Sequence, residues 1–142
     1  MALQFCSYIK YVQIRRSVLN YLSGYGSVMK CYFYPIDYAA KYMGIKRENT
    51  VCCFCGRRLA NRIGLRRHLS SKHTYEVERL VETVVDVLSI LSSLVYLRGS
   101  SAKKWRCRIC GLEAKRKSEI DKHILFEHGD IVYEKLISTY MV

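Results

Sequence analysis

Two stretches of this 142-residue chain hold residues that could bind a metal ion. "CCFCGRRLANRIGLRRHLSSKH" begins at Cys52, and "CRICGLEAKRKSEIDKHILFEH" begins 55 residues later at Cys107. Taking Cys52 with Cys55, both copies read Cys, two residues, Cys, twelve residues, His, four residues, His. The candidate ligand sets are therefore Cys52, Cys55, His68, His73 and Cys107, Cys110, His123, His128. Two thiolates and two imidazoles form the donor set of a closed, tetrahedral structural zinc site. Two residues between the cysteines let a tight turn aim both sulfurs at one ion. Four residues between the histidines bring both rings to one side of a helix whose last turn is loosened. All four histidines of the chain fall in this pattern. Cys53 is the spare of its cluster, because pairing it with Cys55 leaves one intervening residue and breaks the match to the second copy. A catalytic zinc keeps one position open for water. Four protein donors at each site, and no histidine left over as a base, point away from an enzyme and from a small-molecule substrate. Two structural zinc ions are the expected cofactors.

With these ligands in place, residues 50–73 and 105–128 resemble C₂H₂-type zinc fingers over about a third of the chain. The family carries a small apolar core over the metal, at positions matched here by Leu59 and Leu65, and by Ala114 and Ile120. Ala114 departs from the family's aromatic, leaving a thin core for Trp105 or Phe126 to fill and making the second finger depend more heavily on its metal. The resemblance also implies that the residue before the finger helix, and the third and sixth residues within it, face successive bases. In the second finger these are Arg116, Glu119 and Lys122, flanked by Lys115 and Lys117. Arg and Lys can donate to guanine, and Glu can accept from cytosine. In the first they are Asn61, Gly64 and Arg67, so the middle position has no side chain. There Arg57, Arg58, Arg62 and Arg66 are expected to contact phosphates, which positions the protein without specifying sequence. Double-stranded DNA is the implied partner and transcription regulation the implied role. The alternatives are a protein-interaction or dimerisation module, whose basic face is merely solvated, and RNA binding. The chain is similar in style to small zinc-finger proteins of archaeal viruses.

The charge distribution supports a polyanionic partner. The chain has 24 Lys and Arg against 12 Asp and Glu, a formal +12. Residues 46–73 carry eight basic residues and one acidic, net +7, and residues 103–128 carry eight and four, net +4. Residues 1–45 are net +4, whereas the linker 74–102 is net −2.

The elements that must position the ligands follow from periodicity. The fingers themselves are what the resemblance implies, so the expected fold class is α+β: two small ββα zinc fingers joined by a long amphipathic helix, with a mostly helical N-terminal segment and a short C-terminal helix. Five segments result: 1–49, a mainly helical N-terminal segment; 50–73, the first finger; 74–102, the linker helix; 103–128, the second finger; and 129–142, the C-terminal helix. In 1–49 a helix is expected over about 6–22, a turn at "SGYGS", a strand at "VMKCYFY", and a short helix at "IDYAAKYMG" stopped by Gly44. Residues 36–51 also resemble the spacing of a helix-turn-helix, with the closing apolar residue one place late. The linker places Val77, Val81, Val84, Leu88, Leu91 and Val95 on one stripe, widened by Leu80, Val87 and Leu94, with Glu78, Glu82, Asp86 and Ser93 opposite. This predicts one helix of about 22 residues over 76–97, ended by Gly99, Ser100 and Ser101. Gly129 and Asp130 stop one helix and cap another that carries Ile131, Leu136, Ile137 and Tyr140.

His73 and Cys107 are separated by 33 residues, so the fingers cannot follow one groove as adjacent neighbours. A 22-residue helix is about 33 Å long, close to one turn of DNA at roughly 34–36 Å. Each finger is therefore expected to enter a successive major groove, or the 76–97 helix to pair two chains as a homodimer. Packing of that helix onto residues 1–49 within one chain is the alternative to dimerisation.

Nothing at the N-terminus reads as a secretory signal, and Arg15 and Arg16 interrupt it. The most apolar stretch, 83–97, is 15 residues long and contains Asp86, short of the roughly 20 a bilayer needs. No membrane association is expected, and the seven cysteines fit a reducing, intracellular setting: cytoplasm or nucleoid, a host cell if viral, the nucleus if eukaryotic. Only Gln4, Gln13, Asn20, Asn49 and Asn61 carry thermolabile amides, a hint of a hot habitat. Cys6 and Cys31 stand alone as core residues or a disulfide pair.

Overall fold

A computed structural model of the chain describes residues 2–24, 33–98 and 104–140, with backbone alone for 2–10, 33 and 98. Among them are α1 (Ala2–Leu22), α2 (Phe33–Tyr42), α3 (Arg62–Lys72), α4 (Thr74–Leu94), β1 (Val95–Arg98), β2 (Lys104–Cys107), β3 (Glu113–Ala114), α5 (Lys117–Glu127) and α6 (Gly129–Tyr140). The chain is thus α+β, mostly helical with one small antiparallel sheet ordered β1-β2-β3. It divides inside α4 into two compact units, Met1–Val85 and Asp86–Val142, each holding one Cys/His copy. No helix among the described residues is long and apolar enough to cross a membrane.

In the first unit, Ile14, Val18, Leu19 and Leu22 of α1 are buried with Ile36, Ala39 and Ala40 of α2, Leu65 and Leu69 of α3, and Val77, Leu80, Val81 and Val84 of α4. Polar contacts fix the elements around this core. The Tyr21 hydroxyl donates to Asp37 at 2.6 Å, and Arg47 stacks on the Tyr21 ring while donating to its carbonyl at 2.8 Å. Glu78 accepts from the Tyr11 hydroxyl and pairs with Arg15 at 2.7 Å, so the first half of the linker helix packs on α1. α2 starts at Phe33 and stops before Gly44, whose φ of +73° ends it. Phe33 and Tyr34, expected to finish a strand, are helical here because Pro35 sits in the first turn, where its missing N–H costs nothing. The rest of that expected strand, and residues 25–27 of the turn, lie outside the described residues. The helix-turn-helix resemblance fails, since residues 45–51 form no second helix.

In the second unit, α5 packs across the sheet and against α6. The core is Val87, Leu91 and Leu94 of α4, Val95, Ile120, Ile124 and Leu125, and Val132 and Leu136 of α6. The linker helix has about the expected length but is displaced toward the N-terminus, starting at Thr74 rather than at 76. It ends at Leu94, and the β-branched and aromatic "VYLR" becomes β1, pairing antiparallel with β2 in the register Val95↔Cys107 to Arg98↔Lys104. Val95 is still buried, at 6% exposure, but from a strand, and Leu88 is only half-buried. The expected stop at 99–101 lies outside the described residues. α6 buries Val132 and Leu136, while Ile131 and Ile137 are half-buried and Tyr140 donates from the surface to Asp86 at 2.7 Å.

Candidate metal centres

In both copies the two cysteines lie on the same kind of backbone turn. The amide of the glycine after the second cysteine donates to the carbonyl of the first at 2.9 Å, Gly56 to Cys52 and Gly111 to Cys107. The first cysteine's amide in turn donates to Arg57 at 2.8 Å or Leu112 at 2.9 Å. Gly56 and Gly111 have φ of +76° and +83°, a conformation that favours glycine at this point of the turn. The repeated glycine was visible in both copies and is a functional residue the ligand spacing alone did not single out.

The histidines come from α3 and α5 and their C-terminal ends. His68 lies on α3 and His123 on α5, and His73 and His128 are the C-caps of those helices, with nearly identical backbone angles (φ −125°, ψ 37° and φ −126°, ψ 29°). Each second histidine therefore stands at a helix junction, with α4 starting at Thr74 and α6 at Gly129.

Folding brings all eight sequence-derived ligands together in two groups, Cys52/Cys55/His68/His73 and Cys107/Cys110/His123/His128, with the donor atoms of each within 4.8 Å of one another. Cys53 belongs to neither. In the first group Cys55 Sγ is 3.3 Å from His68 Nε2, which is 3.2 Å from His73 Nε2. In the second, Cys110 Sγ is 3.1 Å from His123 Nε2. An ion held about 2.3 Å from sulfur and about 2.0–2.1 Å from nitrogen sets tetrahedral edges of about 3.3–3.8 Å, and the observed spacings lie at or a few tenths of an ångström below that range, so a slight opening of each group makes room for one shared ion. His128 Nε2 is buried with no hydrogen-bond partner, a cost that coordination removes. The paired rings cross edge to face, at 70° and 83°, so each presents its nitrogen without stacking on its neighbour.

Burial splits the cysteines alike in both groups, with Cys52 and Cys107 enclosed and Cys55 and Cys110 exposed. Burial pushes the Cys52 thiol up. The Arg57 amide, followed by His73 and His68, holds the Cys55 thiol down at about 6. Cys53 is pushed up to about 12, chiefly by burial and then by the Cys52 charge, which leaves it a poor ligand and a poor nucleophile.

The groups differ in their supporting structure. Around the first there are only isolated bridges, Glu48↔Val51 and Val51↔Arg58, where two strands were expected. Its backbone pairing includes Cys52–Arg57 and Leu59–Thr50 but builds no strand, and "GRRLA" offers little that favours one. The second group has the β2–β3 hairpin, plus the unforeseen β1. Leu65 and Ile120 are buried as expected, and Leu59 is half-buried. Trp105 is the strand partner of Ala114 and stands on the same face, where it can fill the thin core. Phe126, the other candidate for that role, is 64% exposed and does not.

The expected nucleic-acid residues fall as follows. Asn61 immediately precedes α3, and Arg116 immediately precedes α5, so Gly64 and Glu119 are third and Arg67 and Lys122 sixth in their helices. Arg57, Arg58, Arg62, Arg67, Lys115, Arg116, Glu119 and Lys122 are exposed. Asn61 caps α3, its side-chain oxygen accepting from the Gly64 amide at 2.8 Å. Arg66 is half-buried, with Nε enclosed and unbonded, and Lys117 donates to Ser92 at 3.4 Å.

No protein-family model matches the chain. Characterised proteins and solved structures give no match either. Both centres are therefore assigned from their own residues and geometry.

Proposed function

We propose that this is a zinc-dependent DNA-binding protein acting as a transcription regulator, with each centre a structural zinc site in a C₂H₂-type finger. The observation that carries this reading is the surface of α5. The position before the helix, where a capping side chain would stabilise it by about 1 kcal/mol, is held by Arg116 with no side-chain cap bond. It is followed by Glu119 and Lys122, both exposed. A basic residue in place of a cap is costly for the helix and useful for binding guanine. The first module reads less. Asn61 has its oxygen engaged by its own helix, Gly64 offers no side chain, and the arginines around them supply phosphate contacts. With 33 residues between His73 and Cys107, the two modules contact separate segments of duplex.

Selection of bound sites from random duplexes by the zinc-loaded chain, with RNA as competitor, tests this reading. The expected result is an enriched motif with a guanine or cytosine core that Arg116→Ala degrades at one position, a loss of about 1–3 kcal/mol. No enrichment, or preferential displacement by RNA, overturns it. Exposed Leu97, Leu112 and Phe126 in the second unit favour a second reading as a protein-docking module, for which no duplex is retained even at low salt.

A further inference from the structure

The two metal centres share ligand types, spacing and cysteine burial, and the last histidine of the first has a carboxylate near its second ring nitrogen. His73 turns Nε2 toward the other ligands, 3.2 Å from His68 Nε2. Its Nδ1 is buried without a hydrogen bond, and the Glu76 carboxylate, from the first turn of α4, lies 3.6 Å away. That is a few tenths of an ångström beyond an N–H···O bond of about 2.7–3.2 Å. At the second centre the residue three places after the last histidine is Ile131. None of the ion pairs found among the described residues involves His128.

We propose that Glu76 is a positioning residue of the first metal centre. Its carboxylate accepts the His73 Nδ1–H, fixes the tautomer that leaves Nε2 for the ion, and makes the first centre the tighter of the two. This rests on the reading that both centres hold zinc. A metal-bound imidazole donates its other N–H to an outer partner, which orients the ring and raises its basicity. The Val77 amide donates to the His73 carbonyl at 2.9 Å, so Glu76 is held one residue short of a backbone contact to the same histidine. A small rotation of its side chain closes the gap. No ion pair among the described residues gives His128 such a carboxylate, and the second centre's metal is the first to leave.

The test is a competition titration of the full chain with zinc(II) and a chromophoric chelator. Histidine ring-nitrogen NMR follows His73 and His128 separately. In the unsubstituted chain the first centre fills before the second. Glu76→Ala lowers affinity at the first centre about tenfold or more, leaves the second unchanged, and abolishes the hydrogen-bonded His73 Nδ1–H signal. Glu76→Gln, which keeps shape and an acceptor oxygen, retains that signal and loses less. Unchanged affinity in Glu76→Ala, an equal fall at both centres, or prior filling of the second centre overturns the proposal. Two zinc ions bound regardless of Glu76 leaves the zinc reading standing, whereas no zinc at either centre overturns both.

Discussion

Cys53→Ser is expected to leave two zinc ions bound per chain, and Cys52→Ser to leave one and to unfold the first unit's metal site, as metal stoichiometry and circular dichroism will report. The reason is geometric: Cys52 contributes to the four-donor group and Cys53 does not, and a structural zinc site supplies folding energy outright. In the metal-free chain the two neighbours also separate by reactivity. The Cys55 thiol is held down at about 6, from 9.0, by the Arg57 amide and the two histidines. Its thiolate's contribution to stability is therefore present above 9.0 and lost as pH falls through about 6. Pulsed alkylation as chelation begins, before the first unit's metal site unfolds, followed by mass spectrometry, should label Cys55 down to about pH 6 while Cys53, pushed up to about 12, stays unlabelled. Equal labelling would contradict the assignment. The ligands were legible in the sequence because the duplication constrains them twice. Glu76 was not read as a partner of His73, because a single i, i+3 carboxylate carries no such signal without the buried nitrogen it faces.

Among the elements, α3 and α5 begin differently, and stability should show it. Asn61→Ala removes the bond to the Gly64 amide and is expected to cost about 1 kcal/mol in thermal unfolding of the first unit. Arg116→Asn adds a cap to α5, and is expected to raise stability by up to about 1 kcal/mol while weakening duplex binding. A variant that gained stability and bound DNA unchanged would separate Arg116 from recognition. The α1–α4 contact responds to alkali. Tyr11 is pushed up to about 12 by burial and by its bond to Glu78. Its contribution is complete below pH 10.0 and disappears as pH rises through about 12, a loss that Tyr11→Phe should remove from the alkaline unfolding profile. Helix periodicity made α1, α4 and α6 legible. It overran at Val95, because an apolar residue on a stripe is equally content facing a core from a strand, and the choice was made by pairing with β2, a partner nine or more residues away. The hairpin expected around Cys52 and Cys55 is missing for the opposite reason: the resemblance implied strands, but the segment between the cysteines and α3 offers few residues that favour one.

At the scale of the whole chain, charge and burial assign different duties to different surfaces. The apolar stripe of α4, expected either to pair two chains or to pack within one, is buried, with Val77, Leu80, Val81, Val84, Val87 and Leu91 at 1% exposure or less. The net charge of +12 remains, concentrated on the modules that carry the metal centres. Charge of this kind was legible from composition, whereas the division of the chain inside α4 was not, since the helix reads as one uninterrupted stripe. The most direct test of zinc-dependent DNA binding is duplex affinity measured by fluorescence anisotropy across a salt series, with zinc-loaded and chelator-treated protein side by side. Neutralising about four to seven phosphates predicts that log affinity falls with log salt with a slope of about −4 to −6, and that chelation abolishes binding. A duplex affinity that ignores salt, or one that survives removal of both metal ions, would contradict it.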